Sequence, residues 1–219
     1  MKELKLIIFD MDGTVYDMND MVENMYEISV AYLMDHFHYS LEDANNFLEE
    51  NQIFPYVSPG SNSSTQLFIQ MGADLRHWNE YRSALFDFDR IKKENAIRKE
   101  DLLFFKRIAP IVLLTNNTGA NTRYVLDQIG IDIGVFDKVQ SNDDPRSTIS
   151  KISAMKQLIE EYGIQPKEAL SIGDRYHIDA RPMLELGGKA IIVKNPSAFR
   201  KIISDYPELK SCEDYTCYF

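Results

Sequence analysis

A continuous apolar run that ends in two carboxylates sets the strongest limit on the fold of this sequence. Leu6–Phe9 is apolar throughout, and Asp10, Asp12, Gly13 and Thr14 follow within five positions. Such a run is typical of a parallel strand that is covered on both faces. Residues i and i+2 of extended backbone point the same way, so both carboxylates face one space at the end of the strand. Two such charges repel each other, and a hard divalent cation beside them is the simplest remedy.

The second half of the chain alternates between short apolar runs and helical patterns. The apolar runs are Ile111–Leu114, Ala169–Ile172 and Ala190–Val193. This alternation predicts an α/β fold with a doubly wound parallel sheet, in which ligands bind beyond the carboxyl ends of the strands. With Leu6–Phe9 included, polar residues stand at the carboxyl ends of three predicted strands. They are Asp10 with Asp12, Thr115 with Asn116, and Asp174.

Residues 19–95 show no strand-like alternation. Their apolar residues recur at helical spacing, and Ser40 and Asp74 stand where helices would begin. We therefore predict a Rossmann-like core of residues 1–18 and 96–219, with an all-helical insert of residues 19–95.

The charge and the cysteine content exclude several classes of protein. The formal net charge of −10 argues against a nucleic acid polymer or an anionic membrane as partner. No apolar stretch approaches the roughly 20 residues of a membrane span. Cys212 and Cys217 are too few for a disulfide framework or a complete zinc site. We expect a cytoplasmic protein with free thiols, a monomer or homodimer that acts on a small molecule.

The acids at the strand ends predict a metal site. Oxygen ligands from Asp10, Asp12 and Asp174 favour magnesium over zinc. A calcium loop of the EF-hand type is excluded, because it would require glycine in place of Val15 and glutamate in place of Met21.

Three segments of this sequence resemble motifs of the haloacid dehalogenase (HAD) superfamily of phosphohydrolases. Phe9–Thr14 resembles the first motif, Leu113–Asn116 the second, and Ile172–Asp174 with Asp179 the fourth. They occur in the family's order and at compatible spacing, across essentially the whole chain. The resemblance implies that the helical insert is a cap that closes over the site and excludes water.

The resemblance also implies roles for the acids. Asp10 would attack the substrate phosphorus and form an aspartyl-phosphate, while Asp12 would serve as general acid and then base. The Asp10 carboxylate, the Asp12 main-chain carbonyl and Asp174 would hold Mg²⁺. Asp179 would be a further ligand or support one, unless it is simply an acidic residue in the first turn of a helix.

The same resemblance implies which residues contact the phosphoryl group. The hydroxyl of Thr115 and the backbone N–H of Asn116 would bind a phosphoryl oxygen. Gly13 and Thr14 would complete the substrate-binding part of the first motif.

The basic residue of the family's third motif has no direct match, because the sequence lacks a Lys-Pro pair. Its usual position falls near Ile149. Lys151 lies two residues after that position and Arg146 three before it. We favour Lys151 as the cation of the site and retain Arg146 as the alternative, although most such side chains are surface cations.

The second aspartate of the first motif, Asp12, favours phosphoryl transfer, because dehalogenases typically lack it. We therefore expect a small phosphomonoester as substrate. Nucleoside monophosphates rank ahead of sugar phosphates and phosphoglycolate, because three short segments are spaced as in the cap of pyrimidine 5′-nucleotidase-like enzymes: Leu41–Ala44, Asp74-Leu75 and Phe86–Asp89. The alternatives are a phosphomutase of the beta-phosphoglucomutase type and a non-catalytic binding protein on the same fold.

Aromatic residues of the insert have two interpretations. Phe54, Tyr56, Phe68 and Trp78 would stack a nucleobase, or they would form the core of the insert.

Overall fold

The computed structural model of this chain describes residues 4–56, 62–144, 146–209 and 216–218, with the backbone alone for residues 207–209 and 216–218. The chain divides into two compact units. The first comprises Met1–Asp17, Ile91–Asp143 and Ile149–Phe219, and the second comprises Met18–Arg90 and Asp144–Thr148. Cys212 and the side chain of Cys217 lie outside the described part of the chain, so the predicted free thiols stay a prediction.

A parallel sheet forms the centre of the first unit. In the described ranges it has six strands in the order β3-β2-β1-β4-β5-β6. They are β1 Leu6–Phe9, β2 Ile111–Leu114, β3 Lys138–Gln140, β4 Ala169–Gly173, β5 Lys189–Val193 and β6 Thr216–Tyr218. The chain runs from β1 outward to β3 and from β4 outward to β6, so the strand order reverses between β1 and β4. Ligands of doubly wound folds bind at such a reversal, and the predicted fold class is confirmed.

The second unit is helical over its described residues. Its helices are α1 Val22–Phe37, α2 Leu41–Glu50, α3 Ser64–Gln70 and α4 Leu75–Leu85. Two of them begin where the sequence predicts. The Ser40 hydroxyl accepts a hydrogen bond from the Asp43 N–H at 3.1 Å, and the Asp74 carboxylate accepts one from the His77 N–H at 2.9 Å.

Two of the four aromatic residues that were candidates for base stacking lie in the core of the second unit. Phe68 and Trp78 are fully buried, with their ring centroids 4.7 Å apart in an edge arrangement. Because neither ring has an accessible face, the core interpretation applies to both. The rings of Phe54 and Tyr56 stack on each other with their centroids 5.3 Å apart, and Tyr56 is exposed.

Helices cover both faces of the sheet. In the first unit they are α5 Lys99–Lys106, α6 Gly119–Gln128, α7 Lys151–Glu161, α8 Arg181–Glu185 and α9 Ala198–Leu209. Leu6 and Ile8 of β1 belong to the same buried cluster as Leu158 of α7. Phe9 packs against the rings of Phe105 in α5 and Phe199 in α9. The strand is apolar without interruption because each of its faces packs against a helical layer. None of the described helices is both long and apolar enough to cross a membrane.

The border between the units differs from the predicted insert of residues 19–95. The Asp17 N–H donates to the Asn95 carbonyl at 3.1 Å, and the Ile97 N–H donates to the Val15 carbonyl at 2.8 Å. Tyr16 and Ala96 face each other as an antiparallel bridge. Backbone hydrogen bonds therefore join the segment after Arg90 to the first unit.

Removal of the Phe68 ring should lower the stability of the second unit. We expect Phe68→Ala to reduce the free energy of unfolding by about 3–5 kcal/mol, because it leaves a cavity beside Trp78. Trp78 is the single tryptophan of the chain, so its fluorescence in a urea titration reports this unit. The control is Ile69→Ala, whose side chain is 40% exposed. Equal losses in the two variants would contradict the assignment of Phe68 to the core.

Candidate active site

The first polar residue after β1, Asp10, still belongs to the sheet by its backbone. Its N–H donates to the Ile172 carbonyl of β4 at 2.9 Å, and its side chain is buried. A tight turn follows, in which the N–H groups of Thr14 and Val15 both donate to the Met11 carbonyl. The strand therefore delivers the Asp10 carboxylate to the reversal point, and the turn separates it from the rest of the motif.

Glycine at position 13 allows this turn to approach β4. The φ angle of Gly13 is +76°, a conformation that L side chains rarely adopt. A Cβ atom on Gly13 would also lie 2.5 Å from a carboxylate oxygen of Asp174. The site therefore requires glycine here for its backbone conformation and for its lack of a side chain.

Three carboxylates meet at the ends of β1 and β4. One oxygen from each of Asp10, Asp174 and Asp179 lies within 4.8 Å of the other two. Asp179 stands on a single π-helical turn, Tyr176–Ala180, and its carboxylate accepts a hydrogen bond from the Arg175 N–H at 3.0 Å. A Cβ atom on Gly173 would overlap Asp179 at 2.2 Å, so this second glycine makes room for the third acid.

The Lys151 side chain is the buried cation of this cluster. Lys151 is the first residue of α7 and is only 7% exposed. Its Nζ donates to Asp10 Oδ1 and to the Leu114 carbonyl, both at 2.6 Å, and lies 3.4 Å from Asp179 Oδ1. The ammonium group therefore partly balances two of the three acids.

The alternative cation, Arg146, has a local partner, and its role in the site stays a prediction. Arg146 belongs to the second unit, and its side chain is 70% exposed. Its Nε pairs with the carboxylate of Asp144 at 3.0 Å, two residues earlier.

The residues after β2 form a fixed loop. Thr115 is fully buried, and its hydroxyl oxygen accepts a hydrogen bond from the Asn117 N–H at 3.0 Å. The side-chain oxygen of Asn116 accepts from the Ile149 N–H at 2.6 Å, two residues before Lys151. Asn116 therefore also fixes the start of the helix that carries the lysine.

The carboxylate of Asp12 has different partners from that of Asp10. The Asn117 amide donates to Asp12 Oδ1 at 2.8 Å and to Oδ2 at 3.0 Å. The Tyr16 hydroxyl also donates to Oδ1. The Asp12 side chain is not one of the three whose oxygens lie together, and the role of its main-chain carbonyl as a metal ligand stays a prediction.

Three residues of the site are absent from the sequence predictions. Tyr16 and Asn117 contact Asp12, and Arg175 places its Nε 3.5 Å from Asp174 Oδ1. The Arg175 side chain is 55% exposed, so its guanidinium is accessible beside the acids. A signal was available for Arg175 alone, since it directly follows Asp174 and is a cation within the fourth motif.

Burial and mutual repulsion change the protonation of the acids. Burial, with the charge of Asp10, raises the pKa of Asp174 to about 8 and that of Asp179 to about 6. The same two causes raise the pKa of Asp12, against the opposing effect of its hydrogen bonds from Tyr16 and Asn117. Burial acts to lower the pKa of Lys151, but Asp10 and Asp179 raise it overall. The lysine therefore stays charged.

The donor set fits a divalent cation. Three buried carboxylate oxygens have no hydrogen-bond partner among the described residues, and they belong to the three acids that meet: Asp10 Oδ2, Asp174 Oδ1 and Asp179 Oδ1. The buried hydroxyl of Thr14 likewise has none. A hard cation with oxygen ligands would satisfy these buried oxygens, and its charge would oppose the effects that raise the pKa values of Asp174 and Asp179.

Residues 4–187 match the profile of a family described as haloacid dehalogenase-like hydrolase. Among curated proteins, no match was found.

The solved structures that resemble this chain share its fold at low sequence identity. A predicted phosphatase from Clostridium acetobutylicum has a TM-score of 0.62 at 17% identity, over 98% of this chain and 94% of that one. A HAD phosphatase from Thermococcus onnurineus has a TM-score of 0.56 at 18% identity, over 87% of this chain and 86% of that one. A candidate HAD-hydrolase from Bacillus subtilis, whose structure was determined with bound magnesium, has a TM-score of 0.50 at 13% identity, over 88% of this chain and 87% of that one.

The raised pKa of Asp174 predicts how the stability of the metal-free protein depends on pH. Unfolded, this acid ionises near its ordinary pKa of about 4, whereas the folded protein keeps the proton until about pH 8. The stabilisation from this proton is complete below pH 4 and is lost as the pH rises through 8. From pH 5 to pH 8 in chelator, Asp174→Asn should therefore gain on the order of 2 kcal/mol over wild type.

Thermal unfolding at several pH values measures this difference, with the exposed Asp127→Asn as control. Added Mg²⁺ should stabilise wild type more at pH 8 than at pH 6, and should not stabilise Asp174→Asn. A variant whose stability follows that of wild type across this range would contradict the prediction.

Proposed function

Because the chain belongs to the haloacid dehalogenase-like hydrolase family, we propose that it hydrolyses a small phosphomonoester through a covalent intermediate on Asp10. The observation that carries this proposal is the unequal environment of Asp10 and Asp12. Asp10 contacts the Lys151 ammonium and meets two further acids, whereas Asp12 accepts hydrogen bonds from the neutral donors Tyr16 and Asn117. One carboxylate is set to attack and the other to exchange a proton.

In the first step, an oxygen of Asp10 attacks the phosphorus atom of the substrate. The bond from phosphorus to the leaving oxygen breaks, and its electron pair stays on that oxygen. Asp12 donates the proton that this oxygen needs. Thr115 and the Lys151 ammonium stand at the neighbouring strand end and helix start, where they can stabilise charge on the phosphoryl group.

In the second step, water attacks the phosphorus of the aspartyl-phosphate. Asp12, now a carboxylate, takes a proton from that water, and the bond from phosphorus to the Asp10 oxygen breaks. Inorganic phosphate leaves, and both carboxyl groups return to their starting states. Asp10 is buried and Asp12 is half-buried, which limits side reactions with bulk water.

We propose Mg²⁺ as the cation, held by Asp10, Asp174, Asp179 and the main-chain carbonyl of Asp12. When bound, it neutralises charge on the transferring phosphoryl group. The three carboxylates offer oxygen ligands alone, which favours magnesium over zinc. The structural relative from Bacillus subtilis that was determined with magnesium supports this choice.

For the substrate class we propose nucleoside monophosphates, with the second unit as a cap over the site. The support is the spacing of the segments around Leu41, Asp74 and Phe86, together with the stacked pair of Phe54 and Tyr56. Tyr56 is exposed and can offer a face to a base. Sugar phosphates and phosphoglycolate rank next.

A panel of phosphomonoesters tests this function. Purified protein is assayed for phosphate release with Mg²⁺ and with chelator, on pyrimidine and purine monophosphates, sugar phosphates and phosphoglycolate. We expect release that depends on Mg²⁺ and is fastest with a nucleoside monophosphate. A sugar phosphate whose phosphate changes position without release would establish a phosphomutase instead. Absence of any turnover would leave the binding-protein alternative.

Asp10→Asn should abolish phosphate release and keep the fold, because it removes the nucleophile at almost constant volume. We expect kcat to fall by at least about 10³-fold. Trapping of phosphate from ³²P-labelled substrate on the protein should also disappear, while Asp127→Asn should retain both activities. Normal turnover by Asp10→Asn would rule out the covalent route.

The two candidate cations are distinguished by a matched pair of substitutions. Lys151→Met should lower kcat/KM by about 10²–10³-fold, because it removes the ammonium group beside Asp10 and keeps most of the aliphatic stem. Arg146→Met should leave kcat/KM nearly unchanged. Thermal unfolding of both variants checks the fold. Small and equal losses would mean that another cation, such as Arg175, fills the role.

A further inference from the structure

Two residues far apart in sequence converge on the carboxyl group of Asp12. Tyr16 donates its hydroxyl proton to Oδ1, and Asn117 donates its amide to Oδ1 at 2.8 Å and to Oδ2 at 3.0 Å. Asn117 lies 105 residues away in the chain. Together they restrain the rotation of the carboxyl group about its Cβ–Cγ bond.

Each donor is itself held in place. Tyr16 is fully buried, and its backbone forms bridges with Asp12 and with Ala96. The Asn117 N–H donates to the Thr115 hydroxyl at 3.0 Å, and its carbonyl accepts from the Asn142 N–H at 2.8 Å. Donors fixed by their own backbones can impose an orientation on the group that they contact.

We propose that Tyr16 and Asn117 are positioning residues that hold Asp12 in the orientation from which it protonates the leaving oxygen. This inference rests on the proposed function and deepens it. Oδ1 accepts hydrogen bonds from both donors, whereas Oδ2 accepts one from Asn117 alone. We therefore assign the proton that is transferred to Oδ2, the oxygen with fewer donors. As the bond from phosphorus to the leaving oxygen breaks, that proton passes to the leaving oxygen and Asp12 becomes a carboxylate.

Such a role has a consequence that a merely structural role lacks. The alkoxide of an alkyl phosphate is a strong base and must be protonated as it leaves, whereas p-nitrophenolate leaves as an anion. The value of kcat/KM covers the steps up to the departure of the leaving group. Misplacement of Asp12 should therefore slow alkyl phosphates selectively, while general damage to the site should slow both substrates equally.

The experiment compares Tyr16→Phe and Asn117→Leu with wild type, on p-nitrophenyl phosphate and on the best alkyl phosphate of the panel, both with Mg²⁺. We expect kcat/KM for the alkyl phosphate to fall about 10- to 100-fold, and that for p-nitrophenyl phosphate to change by less than about threefold. Asp12→Asn should show the same selectivity in larger measure. Tyr16→Phe added to Asp12→Asn should not increase that selectivity further.

The matched control is Tyr124→Phe, which removes the hydroxyl of an exposed tyrosine on α6 and should change neither value. Thermal unfolding checks that each variant folds. If Asn117→Leu does not fold, the kinetics of Tyr16→Phe alone test the inference. Equal losses on both substrates, or no loss on either, would overturn this inference and leave the proposed function standing. Failure of wild type to release phosphate from any ester would overturn both.

Discussion

The contact between Lys151 and Asp10 is the interaction on which the rest of the site depends. Carboxylates crowded into a buried space cannot all ionise without a compensating charge. The lysine supplies that charge from the start of α7, and it also hydrogen bonds to the last carbonyl of β2. One ammonium group thus connects two strands and a helix at the point where the strand order reverses. The negative charge that remains would favour a divalent cation at this point.

The site separates two identical side chains that are only two positions apart. The turn after Asp12 directs it towards neutral donors, while Asp10 stays in the sheet among charged groups. In the proposed mechanism, the chemical difference between the nucleophile and the acid therefore arises from backbone geometry rather than residue type. Tyr16, which contacts Asp12, also pairs with the segment that returns from the second unit. The position of the acid therefore depends also on the backbone around Ala96.

The sheet and two of the acids were predictable because they depend on local patterns. Buried strands read as apolar runs, and polar residues at their ends indicated where Asp10 and Asp174 would lie. Asp179 and Lys151 were predicted from the resemblance to the family's motifs, with Arg146 as the alternative to Lys151. The partners of Asp12 were not predictable, because Asn117 reaches it across 105 residues and a tyrosine near a strand usually reads as core. The aromatic residues Phe68 and Trp78 remained ambiguous, since burial and ligand stacking call for the same residue type.

Gly13 and Gly173 each stand where one added carbon atom would occupy the space of a catalytic-site acid. A change from glycine to alanine adds a single methyl group, and on an ordinary protein surface it is usually tolerated. Here it would displace Asp174 or Asp179 from its neighbours. The substitutions that this site tolerates are therefore limited as much by the absence of a side chain at Gly13 and Gly173 as by the charged residues. A redesign that preserved every acid and the lysine would still fail if it lost either glycine.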